Sequence, residues 1–331
     1  RITSQKGKPT MRIFITGGTG LIGSAIVKNL IAHDHHVIAL ARSDISKNKL
    51  ITAGATPIPG DITRPEKWCA DLPDIDAAIH TACDFSDAMA QMDATLLDHL
   101  IPALTRPKQH HSDPVRFIYT GGNWMYPQTN TTATSPGVMT AVNETTPFDP
   151  LPEFLWGLTG IERVLSAANL AGIVIHPSCV YDTGDKGQSG ILARDIETAQ
   201  TDNRVTLVGG DDIYQPMVHA DDIADLYRLA LEQAKPGESY IGSAINDVST
   251  RDVAELIATH FGSENCQIDT ISTDDAMARY GNWARGLAHN QQLSSAKAMQ
   301  DLGWSPRHTD FAADMARHAK TIAKLGPNSR C

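Results

Sequence analysis

Ile13-Phe14-Ile15-Thr16-Gly17-Gly18-Thr19-Gly20-Leu21-Ile22-Gly23 is the stretch that decides the fold. A short uncharged run of strand-forming residues meets glycines at 17, 20 and 23. Ile22, Ile26, Val27 and Leu30 then recur at helical spacing. A buried strand therefore runs into a glycine turn and out into a helix over about Leu21–Ala32. In that reading Gly17 allows the tight turn, Gly20 lets a ligand approach the backbone, and Gly23 lets helix and strand pack closely. The helix N-terminus presents free N–H groups and the positive end of its dipole, which suits a pyrophosphate. The stretch predicts a dinucleotide loop, with Thr16, Gly17, Thr19, Gly20, Leu21, Ile22 and Gly23 around the phosphates.

Outward from that loop, strand and helix alternate. His36–Ala41, Thr56–Pro59, 77–81, Val115–Thr120 and 172–176 read as short apolar strands, with helices over 88–104 and 161–170. This order predicts an α/β fold with a Rossmann-type, doubly wound parallel sheet over residues 11–180. Beyond Pro177 the pattern loosens. Strands are expected at 207–208, Met217–His219 and Ser239–Gly242, and helices at 221–233, Thr250–Phe261 and 294–302. Residues 181–331 are expected to form mainly a smaller substrate-binding lobe, with segments returning to the Rossmann domain. Residues 1–10 read as a polar tail, and 128–150, rich in Thr, Asn and Pro, as a long loop.

Bulk properties narrow the function classes. The chain has 331 residues, 41% hydrophobic and 20% charged, enough for a full core in a soluble protein. A net charge of −10 disfavours nucleic acid and anionic membranes as partners. No apolar run reaches the length of a bilayer span. The five cysteines (69, 83, 179, 266 and 331) are scattered and lack CxxC spacing. They read as reduced thiols of a cytoplasmic protein, with no metal site. The Asn-x-Thr triplets at Asn130 and Asn143 would matter only in a secreted chain. His33, His35, His36, His110 and His111 read as solvated loop residues. The expected partner is a small-molecule substrate, and a homodimer is compatible with the sequence.

The end of the second strand bears on cofactor choice. It reads Leu40-Ala41-Arg42-Ser43, where an acidic residue would bind the ribose 2′-hydroxyl of NAD. Arg42 instead offers a guanidinium to a 2′-phosphate and Ser43 a hydroxyl, which favours NADP(H). The alternative is that Arg42 is a solvated loop residue, and Asp44 nearby counts against the phosphate.

These residues resemble the short-chain dehydrogenase/reductase superfamily in its extended, NAD-dependent epimerase/dehydratase-like form. The landmarks are residues 16–23, Gly60-Asp61-Ile62, Ile79-His80-Thr81-Ala82, 117–126, 177–181 and 218–224. The resemblance implies that Asp61 and Ile62 border the adenine, that Thr81, Ala82 and Cys83 line the ribose, and that Pro177, Ser178 and Val180 lie beside the nicotinamide. Arg42-Ser43-Asp44, the segment 119–124 and Asp93 in place of a usual asparagine look like an atypical subgroup. The departures fall in the active site. The family's catalytic serine position is occupied by Gly122. Counting back from Glu162, the tyrosine and lysine of Tyr-x-x-x-Lys become Phe154 and Leu158, and no tyrosine in the chain is followed four residues later by lysine.

In ordinary members the tyrosine donates a proton as hydride arrives, and the lysine lowers its pKa. Phenylalanine and leucine do neither. Candidate replacements are Thr120 at the end of the fifth strand, Tyr126 in the following loop, Tyr214 (where the family has arginine) and Asp84. Each has a plainer reading: a strand-end cap, packed aromatics, a solvated acid. Trp124 and Trp156 read as apolar walls of a pocket that includes Gly122, Phe154 and Leu158. His176 reads as a hydrogen-bonded strand-end histidine, and Asp221 as the N-cap of the helix that follows His219. The leading expectation is an NADP(H)-dependent oxidoreductase acting on a small apolar or aromatic carbonyl, imine or activated alkene. The alternatives are a redox-neutral isomerase, cyclase or lyase, and a non-catalytic NADP-binding regulatory protein.

Overall fold

The computed structural model describes residues 10–107, 113–129, 141–183 and 190–325. Most of the tail, His110 and His111, the Asn130 triplet, part of the 128–150 loop and Cys331 lie outside the described residues. The strands are β1 Arg12–Thr16, β2 His36–Ala41, β3 Thr56–Pro59, β4 Ala77–His80, β5 Val115–Thr120, β6 Leu170–Pro177, β7 Cys179–Tyr181, β8 Arg204–Val208, β9 Met217–His219, β10 Ser239–Gly242 and β11 Gln267–Ile271. The helices are α1 Leu21–Ala32, α2 Asp44–Thr52, α3 Met89–Thr105, α4 Trp156–Ser166, α5 Ala193–Thr201, α6 Ala220–Gln233, α7 Thr250–Phe261, α8 Thr273–Tyr280, α9 Ala296–Leu302 and α10 Phe311–Leu325.

Seven strands form one parallel sheet in the order β3-β2-β1-β4-β5-β6-β10. Alternating side chains of β1 show why both faces are covered. Ile13 and Ile15 enter a core with Ile26, Val27 and Leu30 of α1 and Tyr227 and Leu231 of α6. Phe14 enters the opposite core with Leu96, Leu97 and Leu100 of α3 and Ile161 and Val164 of α4. Burying such a side chain stabilises by about 1.5–3 kcal/mol, which is why parallel strands read as continuous apolar runs. The order in which the chain adds strands reverses between β1 and β4, the place where open α/β sheets bind ligands.

β7 pairs with β9, and β8 with β11, in two small parallel sheets outside the main one. Their side chains, with α5, α7 and α10, make a third core around Tyr181, Ile196, Leu207, Ile257 and Phe311. Among the described residues no helix is long and apolar enough to cross a membrane.

Three local readings are corrected. The helix expected over 161–170 starts earlier, at Trp156, and stops at Ser166, before β6. His219, and not Asp221, caps α6: its Nδ1 accepts the Asp221 N–H at 3.1 Å. His35 is buried, not solvated, and stands 3.5 Å from Glu232.

Candidate functional site: a dinucleotide crevice beside an aromatic cluster

The glycine loop is shaped by what a side chain would strike. A β-carbon on Gly17, whose φ is +77°, would lie 2.7 Å from Thr81 Oγ1 and 2.8 Å from Ala82 N. One on Gly23 would lie 2.1 Å from Gly17 O, so the first turn of α1 presses directly on the loop. Gly20, by contrast, is exposed, with only Gly17 O at 3.4 Å from a built β-carbon. No side chain caps the α1 N-terminus and no acidic residue lies in its first turn. The free N–H groups thus face the crevice, as a pyrophosphate requires. Thr19, Leu21 and Ile22 are half-buried around it.

A buried polar chain holds the loop from below. Thr16 Oγ1 and His80 Nδ1 are 2.6 Å apart, and His80 Nε2 is 3.2 Å from Asp93 Oδ1. Tyr119 donates to the other Asp93 oxygen at 3.0 Å. Thr81 donates to the Thr16 carbonyl at 2.9 Å, tying β4 to β1 at the reversal point. Ala82 is half-buried and Cys83 exposed beyond it.

Arg42 is exposed at the end of β2. Ser43 caps α2 through a capping box with Ser46, so its hydroxyl is engaged within the helix turn. Asp61 accepts from both the N–H and the hydroxyl of Thr63. Partial burial opposes its ionisation, but those bonds and the charges of Arg42 and Arg64 outweigh it and hold the carboxyl below its ordinary value. Ile62 is half-buried against the second core.

At the end of β5, Thr120 Oγ1 and Tyr227 Oη are 2.7 Å apart, the phenol fully buried on α6. A β-carbon on Gly122 would meet nothing within 4 Å, so the position is open. Tyr126 Oη, His176 Nε2 and Ser178 Oγ are buried without hydrogen-bond partners. Burial raises the Tyr126 phenol above its ordinary value, which makes it a weaker acid than free tyrosine. The His176 ring stands 5.1 Å edge-on to Tyr126, and burial lowers its pKa to about 4. Pro177 and Val180 are buried beside Ser178, whose N–H donates to Gly242 O at 2.9 Å.

Phe154 ends the short turn before α4, and Leu158 sits one helical turn on; both pack into the second core. Phe154 lies 5.3 Å from Trp124, which itself rests flat on the backbone of Gly286. Phe85 and Trp283 complete this aromatic group. Trp156 is turned to Glu153 O through its N–H at 2.9 Å. Gln291 clamps the turn after β5, donating to Asn123 O and Tyr126 O at 2.9 and 2.8 Å. The Tyr214 carbonyl accepts the Gln291 N–H at 2.9 Å, which ties that segment to the same turn. Asp84 is exposed and accepts the Ser86 N–H and hydroxyl at 3.0 and 2.8 Å, a turn contact unlike that of a base reaching into the crevice.

His219, Asp221 and His308 also bring their donor atoms together. The two imidazoles are stacked at 3.6 Å with planes 9° apart, so their in-plane lone pairs lie in separate layers. One ion does not lie in both planes, and His219 Nδ1 is already engaged with Asp221 N.

Residues 13–242 match the model of the NAD dependent epimerase/dehydratase family. The chain belongs to this family. Over 311 residues it is 28% identical to an uncharacterized protein, C2A9.02, of Schizosaccharomyces pombe, covering 93% of this chain and 99% of that one. Its fold is similar to that of dTDP-glucose 4,6-dehydratase from Bacillus anthracis in complex with NAD (TM-score 0.75, 18% identity, 95% and 97% of the two chains). It is also similar to human epimerase family protein SDR39U1, isoform 2, with NADPH (TM-score 0.71, 18% identity, 94% and 99%). Within the epimerase/dehydratase fold, the uncapped α1 and the open Gly20 fit a dinucleotide. Bound there, it would rest on residues 17–23, with Arg42 at its adenosine end and residues 177–180 at the other.

The sequence reading missed Tyr227, Phe85, Trp283 and Glu153. Tyr227 lies on the apolar face of α6, where a packed aromatic needs no other explanation. Phe85 and Trp283 come together only through tertiary folding, and no spacing announces them.

Proposed function

We propose that this epimerase/dehydratase-family protein is an NADP(H)-dependent oxidoreductase that reduces a small apolar or aromatic carbonyl, imine or activated alkene. The observations that carry the reading are the uncapped Gly17–Gly20 loop with Arg42 at the end of β2, and the aromatic rings around Phe154, where the resemblance expects a tyrosine. The solved neighbours include one complex with NAD and one with NADPH, so the fold accommodates either; Arg42 is the residue here that favours the 2′-phosphate.

When bound, the cofactor supplies a hydride to an electrophilic carbon. The chain must hold the substrate oxygen or nitrogen and bring it a proton. We assign Thr120 to that contact. Thr120 Oγ1 and Tyr227 Oη share a hydrogen bond in which either hydroxyl can donate; with Tyr227 as the donor, the threonine proton is free to hydrogen-bond a developing anion without phenol–lysine chemistry. Tyr126 is the second candidate, at the cost of a raised pKa. Gly122 leaves space for the substrate, and Leu158 closes the apolar side. The protein works on a small molecule in the cytoplasm, alone or as a homodimer.

The test is a titration with NADPH and NADH in wild type and Arg42→Ala. A hydrogen bond to a charged group is worth about 1.5–3 kcal/mol, and exposure of Arg42 places it at the low end. NADPH affinity should fall about tenfold with NADH affinity unchanged. Equal affinities in both proteins would remove the role of Arg42. A redox-neutral reading has one observation in its favour, the buried Tyr126 phenol beside a neutral His176. Substrate turnover without net NADPH oxidation would select it.

A further inference from the structure

Four aromatic rings from four separate segments close on one another where Phe154 replaces the family tyrosine. Phe85 follows β4, Trp124 follows β5, Phe154 precedes α4, and Trp283 lies in the turn Asn282–Ala288. The centroid distances are 6.4 Å for Phe85–Phe154, 5.3 Å for Phe154–Trp124, 6.3 Å for Trp124–Trp283 and 6.0 Å for Trp283–Phe85. Each ring therefore touches two others, and the circuit is closed.

Two features of this circuit are unlike an ordinary core. Phe85 is 50% exposed and holds φ +54°, a left-handed conformation that a bulky side chain adopts only under constraint. A ring free to relax would bury itself; this one is held at the surface against Phe154 and Trp283. The second feature is Trp124 Nε1, a buried donor with no partner. Buried indoles ordinarily find an acceptor. The circuit thus offers apolar faces and one unsatisfied hydrogen-bond donor.

Charge narrows the ligand. Arg285, on the same turn as Trp283, is paired with Glu153 at 2.9 Å. Its guanidinium is therefore neutralised where a diphosphate would need a free cation. Tyr214 stands where the resemblance expects an arginine.

We infer that the substrate is an uncharged, planar aromatic carbonyl compound. Its ring lies against Phe85 and Trp283, and its oxygen accepts a hydrogen bond from Trp124 Nε1–H. This rests on the reading of the protein as a carbonyl reductase. Trp124 selects and orients the carbonyl, Thr120 hydrogen-bonds the anion that forms as hydride arrives, and water supplies the proton that completes the alcohol.

The experiment is equilibrium binding to the NADP⁺-loaded full chain, where no reduction occurs. The probes are 2-acetylnaphthalene, naphthalene, cyclohexyl methyl ketone and UDP. Trp124→Phe keeps a ring and removes the donor. It should weaken 2-acetylnaphthalene about tenfold and leave naphthalene unchanged. Phe85→Ala, at an exposed position, should weaken both naphthyl ligands. Wild type should prefer 2-acetylnaphthalene to the saturated ketone, a comparison that stands even if Trp124→Phe does not fold. Equal effects of Trp124→Phe on both naphthyl ligands, no preference over the saturated ketone, or tighter binding of UDP would each overturn the inference. Binding with no subsequent NADPH oxidation would overturn the reductase reading and leave the ligand class standing.

Discussion

Acid should destabilise this protein through one histidine. His176, near the end of β6, is fully buried, with its ring between Tyr126 and Phe148 at 5.1 and 5.5 Å. Its Nδ1 accepts the Gly122 N–H at a long 3.4 Å, and its Nε2 has no partner. Loss of hydration disfavours the imidazolium and lowers its pKa from 6.5 to about 4. Between those values the unfolded chain binds a proton that the folded chain refuses, so stability rises with pH across the window. The contribution is fully present above pH 6.5 and is lost as pH falls through about 4. At about 1.4 kcal/mol per pH unit of separation, the window amounts to about 3 kcal/mol, within a typical total of about 5–15 kcal/mol. The assay is urea unfolding of wild type and His176→Phe at about pH 7 and about pH 4. The phenyl ring fills similar space and gives up only the long contact to Gly122. Wild type should lose about 3 kcal/mol more than the variant over that interval. His219 and His289, also held down by burial, titrate alike in both proteins and cancel. Parallel stability losses would refute the reasoning.

Other outcomes follow from the same contacts. Gly160→Ala places a β-carbon 2.4 Å from Tyr119 Oη and 3.2 Å from Asp93 Oδ2; thermal unfolding should show a loss of about 1–3 kcal/mol. Gly23→Ala drives a β-carbon against Gly17 O, and calorimetry should show dinucleotide affinity reduced by more than about tenfold. Thr120→Val strands the buried Tyr227 hydroxyl; chemical denaturation should report a loss of about 1–3 kcal/mol that Thr120→Ser restores.

The Rossmann half was legible because both of its periodicities are strong. β1 is apolar on alternate faces that are both buried, and α1 carries its buried residues at 23, 26, 27 and 30. α2 was missed because only Leu50 in it is buried, so it has no apolar stripe; it forms behind the Ser43 capping box instead. β11 was missed for a related reason. Its residues are exposed or half-buried with none in a core, and only pairing with β8 makes it a strand. The His219 cap was hidden by a general preference. Aspartate is the commoner N-cap, but here an imidazole nitrogen already occupies the acceptor position.

The site resists reading for a different reason: its pieces meet only in three dimensions. Thr120 finds Tyr227 across 107 residues, and Glu153 finds Arg285 across 132. What is present at the positions where the resemblance expects catalytic residues is nonetheless informative. Phe154 and Leu158 are packed, and Gly122 is open. Buried polar atoms without partners among the described residues include those of Trp124, Tyr126, Glu153, His176 and Ser178, in the segments around those positions. A folded chain rarely leaves such groups unsatisfied, because each costs about 1–3 kcal/mol. Simple decay of an active site would have no reason to concentrate them there. Hydrogen-bonding capacity gathered around an apolar, aromatic-lined space is what a ligand with a few polar atoms on a flat apolar body would require.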